Sequence, residues 1–141
     1  MPRGTTLPEL ITVTVIIGVL LSIVGAPLSR ELDHTAVREG RDRYSAVHET
    51  ARQLAIARST LARVELDSVH AIATVSIRNG NAWDTLEVRP LGAAHLGFSQ
   101  RVVTFGPLGL GYGASNTSII FRRGAAAETL TVSRLGRLRR G

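Results

Sequence analysis

The sequence predicts an α+β protein in which a long N-terminal helix, made of a membrane half and an amphipathic half, packs on an antiparallel β head. Three observations carry this expectation. Twenty uncharged residues run from Leu10 to Ser29. Apolar residues then recur at helical spacing as far as Leu61, and beyond Val64 short β-rich runs follow one another with no helix between them. Strands in series after a single helix pair antiparallel, because each parallel pairing would need its own long crossover. At 141 residues the chain has the length of one domain with a real core. It has no cysteine, so disulfides and thiolate metal sites are excluded and packing alone must hold the fold.

The run from Leu10 to Ser29 is dominated by Leu, Ile and Val. At about 1.5 Å per residue, a helix of that length spans the roughly 30 Å hydrocarbon core of a bilayer. Thr12, Thr14, Gly18, Ser22 and Gly25 interrupt it, as small and hydroxylated residues do where membrane helices touch. A secretory signal peptide would need a shorter apolar region and a cut after small residues. Glu9 at the threshold and Pro27 directly after Ala26 oppose that reading, and a plain signal anchor is the remaining competitor by hydropathy alone. Pro8 falls in the first turn, where its missing N–H costs nothing. Pro27 costs a helix hydrogen bond, so a kink is expected there.

After Pro27 the helical signal resumes with two faces. Tyr44, Val47, Ala51, Leu54 and Leu61 form an apolar stripe, while Arg38, Arg41, Asp42, Glu49 and Arg52 stand on the other side. Gly40 weakens an unbroken helix by about 1 kcal/mol relative to Ala. Among the strands, His70 to Ile77 and Trp83 to Val88 flank Asn79-Gly80-Asn81, a hairpin signal because Asn and Gly tolerate positive φ. Further strands are expected at Arg101 to Phe105, Thr117 to Arg122 and Glu128 to Ser133.

Little in the chain points to catalysis. There is no nucleophile motif, and His34, His48, His70 and His95 are scattered without ligand spacing, so no metal or other cofactor is expected. Glu31/Asp33 and Glu65/Asp67 are two residues apart and do not face each other on a helix. The loop Gly106-Pro107-Leu108-Gly109-Leu110-Gly111-Tyr112-Gly113 lacks the following Lys-Ser/Thr and the helix that a phosphate loop needs, which leaves a structural turn. The formal charge of +6 is local: residues 1 to 100 balance ten Arg with ten acids, whereas from Arg101 onward seven Arg face only Glu128.

The first ten residues order a basic Arg3, a small Gly4, then Thr5-Thr6-Leu7-Pro8-Glu9 before the apolar helix. This resembles the class III signal of type IV pilins and pseudopilins. The resemblance implies that a prepilin peptidase cuts between Gly4 and Thr5 and methylates the new amine, so that Glu9 becomes the fifth residue of the mature chain. In the family that Glu is thought to neutralise the N-terminal amine of a neighbouring subunit during assembly. The mature chain would begin with Thr5, where the family most often has Phe or Met. Ala51-Arg52-Gln53-Leu54-Ala55-Ile56, Phe105-Gly106-Pro107-Leu108-Gly109 and the ending Ser133-Arg134-Leu135-Gly136-Arg137-Leu138-Arg139-Arg140 are similar to segments of the GspH/FimT branch. Residues 64 to 100 match no segment of it.

The resemblance divides the chain into a leader (1–4), a transmembrane and assembly helix (5–29), the amphipathic half of the helix (30–64) and a β-rich periplasmic head (65–141). It implies a non-enzymatic minor subunit of a type II secretion pseudopilus or a type IV pilus in the bacterial inner membrane. Its partners would be other pilins or pseudopilins, the prepilin peptidase and the inner-membrane assembly platform. The alternative is a DNA-binding minor pilin of FimT type, with Arg134, Arg137, Arg139 and Arg140 meeting phosphate.

Overall fold

The structure is a computed structural model that describes residues 6–141, with residues 23–26 described by their backbone only. One helix, α1 (Leu7–Ala57), precedes eight strands: β1 (Ala62–Asp67), β2 (Ile72–Asn79), β3 (Ala82–Pro90), β4 (His95–Phe98), β5 (Val102–Phe105), β6 (Thr117–Arg123), β7 (Ala126–Val132) and β8 (Leu138–Arg140). The strands form two antiparallel four-stranded sheets, ordered β3-β2-β1-β5 and β4-β6-β7-β8. The fold class is therefore the expected α+β arrangement. The chain divides into two compact units, Met1–Leu32 and Asp33–Gly141.

Between Leu10 and Leu21 α1 is apolar all round: Leu10, Ile11, Val15, Ile17, Val19 and Leu21 are each more than half exposed. A helix without a polar face is suited to lipid and not to water, and this one is long and apolar enough to cross a membrane. Two of its hydroxyls are satisfied within the helix. Thr12 Oγ1 donates to the Pro8 carbonyl and Thr14 Oγ1 to the Leu10 carbonyl, both at 2.8 Å, which removes the cost of carrying unpaired polar groups into hydrocarbon.

In the second unit α1 turns one face into the core. Val37, Tyr44, Val47, Ala51 and Ala55 are buried there with Val64, Leu66 and Val75 of the first sheet and Ile119, Phe121, Leu130 and Val132 of the second. Gly40 belongs to the same face. A Cβ at Gly40 would stand 2.9 Å from the Leu91 carbonyl oxygen and 2.9 Å from Phe121 Cδ1. The residue that weakens the helical pattern is thus the one that lets the helix approach β6. On the flank, Arg41 bonds Glu128 of β7 at 2.6 Å, and Arg123 of β6 reaches Asp33 at 3.2 Å.

The helix ends at Ala57, short of the expected residue 64, and Leu61 lies beyond it. The stop is a Schellman motif: Thr60 N–H bonds the Ala55 carbonyl at 3.1 Å and Ser59 N–H the Ile56 carbonyl at 3.1 Å, with Ser59 at φ 47°. β1 then begins at Ala62 and alternates buried and half-buried residues as an inner strand of its sheet. The β2–β3 hairpin stands where expected, with Gly80 (φ 58°) and Asn81 as its two-residue turn. The expected strands do not include β1, whose residues 62–64 fall in the expected helix, nor β4 and β8.

Replacing Gly40 tests the close approach. In an exposed helix Gly→Ala stabilises by about 1 kcal/mol, whereas overpacking a core costs about 1 to 3 kcal/mol. The second effect should win here, because a backbone carbonyl and a buried ring cannot retreat cheaply. Gly40→Ala should lower the Tm of the full chain's folded head, and Gly40→Val should lower it further. A Tm at or above wild type for the Ala variant would count against the packing account.

Candidate functional site

Two places carry the predicted site residues, one at each terminus. Gly4 and Thr5 lie outside the described residues. Glu9 stands in the first turn of α1. The Thr6 carbonyl accepts the N–H groups of Glu9 (3.0 Å) and Leu10 (3.2 Å), and the Glu9 carboxylate reaches back to the Thr6 N–H at 3.4 Å. Thr6-Leu7-Pro8-Glu9 has the spacing of a capping box. The spacing of Thr6 and Glu9 is itself the signal in the sequence for this contact. A carboxylate here also opposes the positive end of the helix dipole.

The C-terminal residues form a fastened turn and an edge strand. Gly136 N–H bonds the Ser133 carbonyl at 2.8 Å, Ser133 N–H bonds the Arg137 carbonyl at 2.9 Å, and Arg137 N–H bonds Ser133 Oγ at 3.1 Å. β8 then returns along β7, with Leu138 opposite Val132 and Arg140 opposite Leu130. Gly136 sits at φ 76°, and a Cβ on it would lie 2.9 Å from the Phe105 ring. No other residue type fits there without strain.

His48 holds this turn from below. Its ring is buried, and Nε2 lies 2.9 Å from the Gly136 carbonyl oxygen. A carbonyl only accepts, so Nε2 carries the proton. Nδ1 of the neutral ring then accepts from the Tyr44 hydroxyl, 3.5 Å away. Phe105 meets the imidazole edge to face at 4.8 Å. Burial pushes the His48 pKa below its ordinary value, and the bond to the Gly136 carbonyl opposes this only in part. Burial likewise raises the Tyr44 phenol well above its usual range. His48 appeared in the sequence as one scattered histidine. Its spacing of four from Tyr44 put it on the core face, and that was the available signal.

Arg134, Arg137, Arg139 and Arg140 are all exposed. None has a carboxylate partner among the described residues, whereas Arg38, Arg41, Arg43, Arg52, Arg89, Arg101 and Arg123 each pair with one. Glu128, the single acid after Gln100, faces Arg41 and Arg38 of α1. The structure thus sets the four arginines together on one turn and edge strand, uncompensated. Among the described residues no group of His, Cys, Asp or Glu is placed to hold a metal ion.

No protein-family model and no curated protein sequence matches the chain. Solved structures do match in fold. The type IV minor pilin FimU of Pseudomonas aeruginosa superposes with a TM-score of 0.63 over 74% of this chain and 87% of that one, at 12% identity. The minor pseudopilin EpsH of the Type 2 Secretion System of Vibrio cholerae gives 0.62 over 74% and 95%, also at 12% identity. The chain has the pilin-like α+β fold of these proteins.

The buried His48 gives a pH dependence with a definite sign. Its folded pKa lies below the unfolded value near 6.5, so unfolding takes up a proton between the two. The stability it supports is complete above about pH 6.5 and is lost as pH falls towards the folded pKa. Denaturant unfolding of the wild type should show stability declining with acidity below about pH 6.5. His48→Gln keeps an N–H for Gly136 and cannot titrate, so its curve should be flatter over that window. Equal slopes would remove His48 from the account.

Proposed function

We propose that the chain is a non-enzymatic minor subunit of a type IV pilus or a type II secretion pseudopilus. It is held in the bacterial inner membrane by the first unit of α1, with its head in the periplasm, until it enters the filament. The observation that carries this reading is one helix of two characters. Leu7 to Leu21 and Leu28 expose large apolar side chains, and Val37 to Ala55 buries only one face. A soluble domain has no use for the first part. The fold shared with minor pilin and pseudopilin structures supports the reading.

In this reading a prepilin peptidase removes residues 1–4 after Gly4 and methylates the amine of Thr5. The inner-membrane assembly platform then passes the subunit to other pilins or pseudopilins, where Glu9 meets the amine of a neighbour. A carboxylate at membrane depth costs about 2.5 to 3.5 kcal/mol on insertion scales. A cation supplied by the neighbour offsets that cost. No cofactor is called for.

Glu9→Val should leave insertion intact, since the helix becomes more apolar, and should reduce the share of the subunit in sheared filaments severalfold. The filament-borne wild type should have lost Met1 to Gly4 and gained one methyl group in intact-mass measurement. Undiminished incorporation of the Val variant, or a retained leader, would sink the respective step.

The uncompensated arginines favour a second reading, DNA capture by a FimT-type minor pilin. If about three of Arg134, Arg137, Arg139 and Arg140 meet phosphates, log K should fall with log salt at a slope of about −2.7 on duplex DNA. Substituting Arg137, Arg139 and Arg140 with Gln should flatten the slope. The same change at Arg43, Arg52 and Arg89, which already face carboxylates, should do much less. Equal losses would mean bulk charge alone.

A further inference from the structure

Three segments of the second unit adjoin: the end of α1, the loop between β5 and β6, and the turn before β8. Arg52 Nε donates to the Gly109 carbonyl at 3.0 Å, and a Cβ on Gly109 would stand 2.6 Å from Ile56 Cδ1. The loop therefore lies flat on the helix end. A Cβ on Gly111 would run into the Arg134 carbonyl and would stand 3.1 Å from Gly136 N, so the loop also abuts the turn. The surface these segments share carries Leu108, 81% exposed, with Ile56, Leu110, Tyr112 and Leu135, each about half exposed.

Single exposed leucines are ordinary, whereas a contiguous apolar patch marks a contact. The loop is also rigidly held. Gly109 N–H bonds the Gly106 carbonyl, Gly106 N–H the Leu110 carbonyl and Tyr112 N–H the Thr104 carbonyl, all at 2.8 Å. Ser115 Oγ bonds the carbonyls of Tyr112 and Thr104. A loop fixed in this way presents its leucines with little ordering left to cost affinity. Beside the leucines stand Arg134 and Arg137, on the turn that Gly111 abuts, exposed and without a carboxylate partner among the described residues. Residues 106–113 and 133–137 contain no acid, and Glu49, the acid of the adjoining helix turn, is paired with Arg52.

We propose that this patch docks the head of a different subunit of the same filament, at an apolar spot bordered by aspartates or glutamates. The proposal rests on the filament reading above and adds the surface and the partner's chemistry. A second copy of this chain paired through the same patch would set Arg134 and Arg137 against like charge, which disfavours it. Nucleic acid would engage the arginines and leave Leu108 and Leu110 without a role, since backbone recognition runs through phosphate contacts.

The test places a photo-crosslinking amino acid at Leu108 of the full-length chain in cells that assemble the filament, with an equally exposed control at Val69. The content of the chain in the purified filament is measured first. Leu108 should crosslink to the head of another filament subunit, at a peptide with apolar residues beside Asp or Glu, and Val69 should not give that product. Arg134→Glu with Arg137→Glu should cut the yield at least tenfold, and reversing the charge of the mapped acids on the partner should restore it. A product with a second copy, with lipid or with DNA overturns the proposal. So does the absence of any product from filaments that contain the chain, which leaves the filament reading intact. A chain missing from the filament altogether overturns both.

Discussion

Both sheets close on a single helical face, and the second unit depends on how near they can come to it. Tyr44 packs against Phe121 of β6 with ring centroids 6.5 Å apart, and His48 against Phe105 of β5 at 4.8 Å. Gly40 lets β6 approach where any side chain would intrude. Two of the three contacts therefore involve residues that an amphipathic pattern would not choose for a core. A glycine supplies proximity and a histidine supplies a buried donor. The donor then fixes the Gly136 carbonyl, and with it the turn that presents Arg134 and Arg137. The surface turn and the core are one structure.

The fold class was legible because its signals are long and redundant. The uncharged run, the stripe through Tyr44, Val47 and Ala51, and the hairpin around Gly80 each repeat a simple period, and each stands where it was read. The stripe was overextended to Leu61 because the stop uses Ser59 in a left-handed conformation, where glycine is the usual marker. β8 was hidden by its composition. Leu138-Arg139-Arg140 reads as a charged tail, and only its pairing with β7 makes it a strand. β4, four residues with one buried side chain, has too short an alternation to be read at all. Of the candidate site, the arginines were visible as charge. Their lack of partners was not, because pairing is a property of three-dimensional neighbours such as Glu128 and Arg41.

That pairing changes the meaning of the net charge. Counted along the chain, the segment after Gln100 is short of acids by six. In space, its one acid faces the helix and not the arginines near it in sequence. The helix also supplies a carboxylate for Arg123, and β1 supplies one for Arg101. What remains uncompensated is therefore narrower than the sequence count suggests and more concentrated, lying chiefly at Arg122 and the turn and edge strand from Arg134 to Arg140. A concentrated patch beside fixed leucines suits a specific protein contact better than diffuse charge would, since charge steers and orients while apolar burial supplies most of the affinity.

The same economy holds at the other end of α1. Glu9 has two structural reasons to be there, a contact with the Thr6 N–H and the helix dipole. At 3.4 Å the contact is long, and a carboxylate near a helix N-terminus gains about 0.3 to 1 kcal/mol. Carrying it to membrane depth costs about 2.5 to 3.5 kcal/mol. Capping therefore falls short of explaining an acid at the head of an apolar run, and an uncharged Gln at the same position would complete the capping box without the penalty. In the assembly reading proposed above, a processed amine on a neighbouring helix supplies a cation for that carboxylate.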